Sequence, residues 1–208
     1  MKSRLKINLL LCTAICRVSV GYTVTPVATE DKFPVLAVDM GADCAISVID
    51  YYGGHLASGV VANASYWTEK PPVPSTIEKF SLRFKCIDVQ SSDGTALAYG
   101  AAWDMRGKRW KPYYEDNSER RLTAPVSRIY QVRSINATGF LRTTDQINGE
   151  EAQRVRFYSF CLFNGHKAVC GDGQSMRLRE PQRDFLPYIL RVLRSLSFID
   201  SQSKTSNQ

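Results

Sequence analysis

The sequence predicts an α+β fold: a mainly antiparallel β-sheet with a C-terminal amphipathic helix packed on one face. Three observations lead there. Short runs rich in β-branched and aromatic residues, separated by Gly, Pro and Asx turns, fill most of residues 42–163. The run 153–163 is substantially apolar on both faces, as a strand covered on both sides would be. A clear helical edge, Ile189, Leu190, Leu193 and Leu196, comes only near the end of the chain. The chain has 208 residues, 44% of them hydrophobic and 23% charged, an ordinary globular balance that excludes collagen, coiled coil and wholesale disorder.

The first 21 residues separate from the rest. Lys2, Arg4 and Lys6 precede the mostly apolar run 7–16, and the small residues Ser19 and Gly21 follow. A positive flank, a short apolar helix and small residues form the pattern of a secretory signal peptide, here 1–21. Ten residues of helix reach only about 15 Å, roughly half the hydrocarbon thickness, too little for a permanent anchor. Arg17, just after the apolar run, departs from the pattern. Two alternatives stay open: lipidation at Cys16, which alone would place the protein on a membrane, and a cytosolic chain with an apolar N-terminal helix. Removing the four cations Lys2, Arg4, Lys6 and Arg17 lowers the formal charge from +7 to +3. That excess is too small to indicate nucleic acid as the partner.

Residues 22–200 read as a single domain. Its lead-in, 22–34, is extended because Pro26 and Pro34 block a long helix. Residues 42–52 read as a strand that Gly53 and Gly54 end as a turn, with 60–67 as its partner before the stiff loop of Pro71, Pro72 and Pro74. Leu82, Phe84 and Cys86 alternate with Arg83 and Lys85, the period of two of a half-buried strand. Ser92, Asp93 and Gly94 read as a turn, after which 96–103 pairs back as a hairpin. The stretch 104–125 is the least regular, a loop or strongly bent hairpin. Strands follow at 126–135 and from Gly139, then a turn around Asn148 and Gly149 and the long strand 153–163. Asp184 can cap the last helix, Pro187 fits its first turn, and Ser197 marks its end. The polar tail 201–208 reads as disordered.

If Cys12 and Cys16 leave with the signal, Cys44, Cys86, Cys161 and Cys170 remain, an even number with three possible pairings. A turn centred on Gly165 and His166 places Cys161 directly opposite Cys170, within the roughly 5.5 Å Cα separation of a disulfide. That favours Cys161 with Cys170 and Cys44 with Cys86, and an oxidising periplasmic or secreted location. Four buried thiols are the alternative. No CxxC pair exists near His166, so neither a zinc site nor any other metal or cofactor is expected.

The segment from Trp103 to Tyr114 is the best candidate for partner binding: Trp103, Arg106, Arg109, Trp110, Tyr113 and Tyr114 are the residue types that carry binding energy when desolvated. Lys108 or Arg109 suits an acidic partner, while export and the nearby Glu115, Asp116 and Glu119 argue against nucleic acid. No catalytic residue is assigned. His55, in a glycine-flanked turn, is the one hydrolase alternative, with Ser58 close by or a distant Ser as its nucleophile, and no GxSxG elbow accompanies it. His166 reads as a solvated hairpin tip, and Gly171, Asp172 and Gly173 as a tight turn without the Lys and Ser/Thr of a phosphate loop. Asp39, Asp43 and Asp50 are too loosely spaced for a dyad or calcium loop. Asn63 and Asn136 begin glycosylation sequons, relevant only in a eukaryotic source.

From Arg154 through Cys161, Cys170 and Gly171 to the closing run LPYILRVLRSLSF, the last quarter of the chain resembles periplasmic immunity proteins of type VI secretion lipase effectors, which end in a helix and a following strand. The resemblance implies a periplasmic inhibitor that binds a secreted effector and blocks its active site without chemistry of its own. It carries over no individual binding residue. The sequence thus reads as an exported, disulfide-stabilised binding protein, not an enzyme, with a periplasmic hydrolase or an envelope ligand-binding or structural protein as alternatives. Intact-mass measurement of the native protein is expected to give a chain beginning near residue 22 with its cysteines oxidised; a chain starting at Met1 with free thiols contradicts export.

Overall fold

The computed structural model describes residues 33–76, 79–89 and 92–199. The expected signal 1–21, Cys16, nearly all of the lead-in and the tail 201–208 lie outside the described residues. In chain order the elements are β1 (Val35–Gly41), β2 (Cys44–Ile49), β3 (Gly54–Ser58), β4 (Asn63–Thr68), β5 (Ser81–Asp88), α1 (Ser92–Ala98), β6 (Ala101–Asp104), β7 (Arg109–Pro112), α2 (Asn117–Thr123), β8 (Ser127–Arg133), β9 (Thr138–Asp145), β10 (Val155–Asn164), β11 (Lys167–Arg177), α3 (Leu186–Ser195) and β12 (Ser197–Ile199). A seven-stranded antiparallel sheet runs β3-β4-β5-β11-β10-β9-β8, a three-stranded one β1-β2-β12, and β6 with β7 forms a separate hairpin. The expected α+β class is correct, with α3 packed against β2 of the smaller sheet.

The first strands differ from the expected 42–52 pairing with 60–67. Ala42 and Asp43 take left-handed φ angles of 53° and 54°, the geometry of a tight hairpin turn, so β2 starts only at Cys44 and pairs back with β1. The run 53–59 is mostly the strand β3, which pairs with β4. Its cause is a corner at Asp50. This carboxylate, 5% exposed, accepts hydrogen bonds from Tyr52 N at 3.1 Å, Gly54 N at 2.9 Å and the Tyr66 hydroxyl at 2.7 Å. The chain is thereby turned from the small sheet into the large one. Burial, then the neighbouring Asp50, pushes the Tyr66 phenol pKa upward, so it stays a donor. Gly54 is required, since a Cβ there would lie 2.5 Å from the Tyr66 ring.

The expected alternation of β5 is present, with Leu82, Phe84 and Cys86 buried. The turn at Ser92–Gly94 is not: Ser92–Ala98 is a helix, followed by the left-handed Gly100 at φ 77°. Thr95, Ala96, Leu97 and Ala98 sustain it because Ala96 is fully buried against the sheet. Instead of 96–103 pairing back, β6 pairs with β7, Trp103 opposite Trp110. Strand β10 is interior, between β11 and β9, and both its faces are covered over residues 160–163, while Phe157 nearer its start is exposed on one face. Tyr158, Phe160 and Leu162 join the main core with Tyr66, Phe84 and α3, while Cys161 and Phe163 join a second core with Phe140, Ala168 and Trp110.

Both disulfides have the expected partners. Cys161 and Cys170 are a cross-strand pair with Cα atoms 4.1 Å apart, and Gly165 and His166 form the turn between the last rung, Asn164 with Lys167. Cys44 and Cys86, Cα atoms 6.5 Å apart, tie β2 to β5 and so join the two sheets. By loop entropy, closures of 9 and 42 residues contribute about 2.5 and 4 kcal/mol.

The entrance of α3 is fixed by an ionic junction. Arg156 donates from Nε to Asp145 at 2.6 Å and from Nη1 to Asp184 at 3.0 Å, while Asp184 also accepts Leu186 N at 2.9 Å. The helix ends at Ser195, two residues before the expected Ser197, because Ser195 Oγ accepts Ile49 N at 3.1 Å and the chain then pairs with β2 as β12. Arg156→Met leaves two carboxylates without their shared cation. It is expected to lower stability in urea by about 2 kcal/mol; a loss under about 0.5 kcal/mol contradicts the assigned role.

Candidate functional site

Between β5 and β8 the chain leaves the large sheet and folds over its second face, opposite α3. The tie is made largely by side chains of the sheet that bond backbone of this excursion. Gln131 on the edge strand β8 exchanges two hydrogen bonds with the backbone of Trp110, each 2.9 Å, so its amide replaces a rung of β-ladder. Ser159 donates to Tyr99 O at 2.8 Å, and Arg142 donates from Nη1 to both Gly100 O and Tyr113 O at 3.1 Å. The Tyr114 ring lies 5.1 Å from the Arg142 guanidinium carbon. A Cβ on Gly100 would fall 2.1 Å from Arg142 Nη1, so this close approach needs glycine. Trp110 completes the docking, 5.4 Å from Phe163 in a stacked arrangement and 5.1 Å from Phe140.

The excursion covers only part of that face, and what stays open is a cleft of about 990 Å³. Its lining includes the cations Lys79 and Arg83, the carboxylates Glu115, Glu119 and Asp172, and the rings of Phe157, Tyr99 and Tyr158. Phe157 is 42% exposed there, an aromatic surface for a ligand to cover. Burial first, and the Asp172 charge second, push the Tyr99 and Tyr158 phenols upward, so both remain protonated donors near neutral pH. The lining residues offer hydrogen bonds and charges of both signs, and they include no histidine or cysteine.

A second groove, about 1000 Å³, lies beside β7 and the start of α2, lined by Arg109, Lys111, Tyr113, Tyr114, Arg120 and Ile129 among others. It takes in several of the residues expected to bind a partner. Trp103, 38% exposed, and the exposed Arg106 and Arg109 lie on the hairpin; Tyr113 and Tyr114 are half-buried. Trp110 also lines the groove but is only 7% exposed and belongs to the second core, so it anchors the surface from below. Lys111 pairs with Asp104 at 2.5 Å, which holds the Asp104 carboxyl below its usual range. Arg120 and its helix α2 escaped the sequence reading. The signal was present: Asp116 accepts Ser118 N at 2.7 Å and Glu119 N at 2.8 Å, and Glu119 reaches back to Glu115 N at 2.7 Å, a helix-capping arrangement written in the spacing of Asp116 and Glu119.

The other sequence candidates fall elsewhere. His55 is exposed on the edge strand β3, its ring 5.4 Å from Trp67; Ser58 is three positions on, so its side chain leaves the strand on the opposite face. His166 is at the β10–β11 hairpin tip as expected, its carbonyl accepting Val89 N at 2.8 Å. Gly171, Asp172 and Gly173 are not a turn but the middle of β11. They admit close neighbours: a Cβ on Gly171 would sit 2.1 Å from Arg83 O, and one on Gly173 2.7 Å from the Tyr158 hydroxyl. Asn136 holds β12, donating to Phe198 O at 2.8 Å and accepting Phe198 N at 2.9 Å. Among the described residues no group of acidic, histidine or cysteine side chains forms a metal site, and no helix is long and apolar enough to cross a membrane.

No family model matches the chain, and no curated protein or solved structure matches it either. Fold and site together define a disulfide-stapled α+β protein with an aromatic and cationic excursion docked on the free face of its main sheet.

Arg142, its side chain 11% exposed, is the residue whose removal should free the excursion. Arg142→Met leaves Tyr113 O unsatisfied, while Gly100 O keeps the bond from Tyr113 N at 2.9 Å, and is expected to cost about 1–3 kcal/mol in denaturant unfolding. Near-ultraviolet circular dichroism of the Trp103 and Trp110 pair should weaken with it. An unchanged tryptophan signal and unfolding midpoint would falsify the docking role.

Proposed function

We propose that this protein is an exported binding protein that acts by direct contact with a protein partner, as an immunity protein that inhibits a secreted antibacterial effector in the periplasm. One observation carries the reading: Trp103, Arg106 and Arg109 stand on a hairpin locked to the sheet beneath it, so an aromatic and cationic surface is held ready and loses little conformational freedom on binding. The disulfides suit an oxidising compartment, and the sequence pattern of residues 1–21 suits export to one. A hydrolase reading on His55 with Ser58 draws no support from β3, where the two side chains leave opposite faces. The cleft beside Phe157 favours a second reading, an envelope protein that holds a small polar ligand. Native mass spectrometry separates the two, since a ligand retained through purification belongs to the second.

The test of the first reading is affinity capture from the producing strain with the oxidised protein as bait. One secreted protein is expected in stoichiometric yield, and Trp103→Ala with Arg106→Ala should weaken its capture by about tenfold or more. A bait that recovers nothing, or a variant that captures as well as the parent, overturns the proposal.

A further inference from the structure

Positive charge on this protein is local. Between Asp104 and Arg133 there are eight cations against four carboxylates, an excess larger than the +3 carried by all residues after 21. The groove between β7 and α2 lies in this stretch. Of the carboxylates in the stretch, Asp104 lies outside the groove and holds Lys111, while Glu115 and Asp116 line it, Asp116 engaged as the cap of α2. Arg109 and Arg120, both exposed and both in the groove lining, form no ion pair among the described residues. A shallower hollow shares Asn117, Arg120 and Ala124 with the groove and continues it to Arg121, which is also without an ion pair among the described residues. Tyr113, Tyr114 and Ile129 give the same groove an apolar lining.

We infer that this groove receives a carboxylate-rich segment of a protein partner, with Arg109 and Arg120 pairing with its side chains and the tyrosines covering its apolar atoms. The inference rests on the binding reading above and adds the partner's chemistry to it. Charge complementarity of this kind acts mainly on the rate and selectivity of association. Arginine suits it because its planar fork meets a carboxylate with two parallel hydrogen bonds. Glu115 and Asp116 also line the groove and oppose any polyanion, so the anion-receiving part is the Arg109 and Arg120 side, and the choice of a protein over a nucleic acid rests on the apolar surface around it. The hairpin and α2 further expose Met105 (78%), Leu122 (60%) and Trp103 (38%), apolar contacts of the kind a protein surface matches.

The test is a titration of the isotope-labelled, oxidised protein with an oligoglutamate peptide, an oligolysine peptide and single-stranded oligothymidine, followed by amide chemical shifts. Oligoglutamate is expected to give saturable shifts confined to the neighbourhood of Arg109, Tyr113, Tyr114 and Arg120, weaker in high salt. Oligolysine should give none there. Arg109→Glu with Arg120→Glu should weaken oligoglutamate binding by about tenfold, the order expected when a charge pair becomes a repulsion. Arg194→Glu, an exposed change on α3, should leave it unaltered. Shifts scattered over all surface cations, or oligothymidine binding the groove as tightly, overturn the inference. Repeating partner capture with the double variant separates the two levels: undiminished capture leaves the binding function standing and removes the acidic-segment assignment.

Discussion

The large sheet has two apolar faces and only one conventional cover. Its first face meets α3 and the small sheet, but its second carries Phe140, Cys161, Phe163, Ala168 and Cys170 at one end, which water cannot be allowed to reach. The segment between β5 and β8 exists in its observed form because it covers that end, with Ala96, Ala101 and Trp110 as its buried contribution. Hydrophobic cover alone does not fix orientation. That comes from Gln131, Ser159 and Arg142, whose polar atoms answer backbone groups of the excursion that would otherwise be left unpaired as it packs down. The surface turned outward by this arrangement is the cationic and aromatic one, and the part of the face left uncovered is the cleft.

Each core holds one disulfide, and the two do different work. Cys161–Cys170 crosses neighbouring strands that are already paired, so it chiefly stiffens the floor under Trp110 and Phe163. Cys44–Cys86 joins β2 to β5, which belong to different sheets, and closes the longer loop. In an oxidising compartment, where such bonds persist, a sheet pair tied in this way need not rely on the main core alone. The Asp50 corner complements the second bond: one buried carboxylate, fully engaged by Tyr52, Gly54 and Tyr66, redirects the chain from one sheet to the other at the end of β2 opposite to Cys44, so the two sheets are tied at both ends of that strand.

What the sequence made legible was local. The alternation in β5, the two-faced β10, the edge of α3 and the Cys161 register each depend on neighbours within a few positions, and spacing alone reveals them. β3 and α1 were hidden because their causes are distant: β3 follows from a corner that needs Tyr66, and α1, only one turn or two long, is sustained by burying Ala96 against the sheet. At the site, composition pointed to Trp103, Arg106 and Arg109, but not to the inward aim of Trp110, which alternation on a four-residue strand is too short to settle. Arg142 was invisible for the same reason as β3. An arginine in the middle of a strand reads as solvated, and its role appears only once the carbonyls of Gly100 and Tyr113, 42 and 29 positions away, are brought to it.

The binding surface depends on the excursion being a rigid part of the domain and not a loop lying on it. Amide hydrogen exchange of the oxidised protein measures this directly. Slow exchange at the Trp110 and Tyr113 amides, which donate to Gln131 Oε1 and Gly100 O, within reach of the protection in β9 and β10, is the predicted result. Exchange across residues 101–123 at the rate of an open chain, while β9 and β10 stay protected, would contradict it.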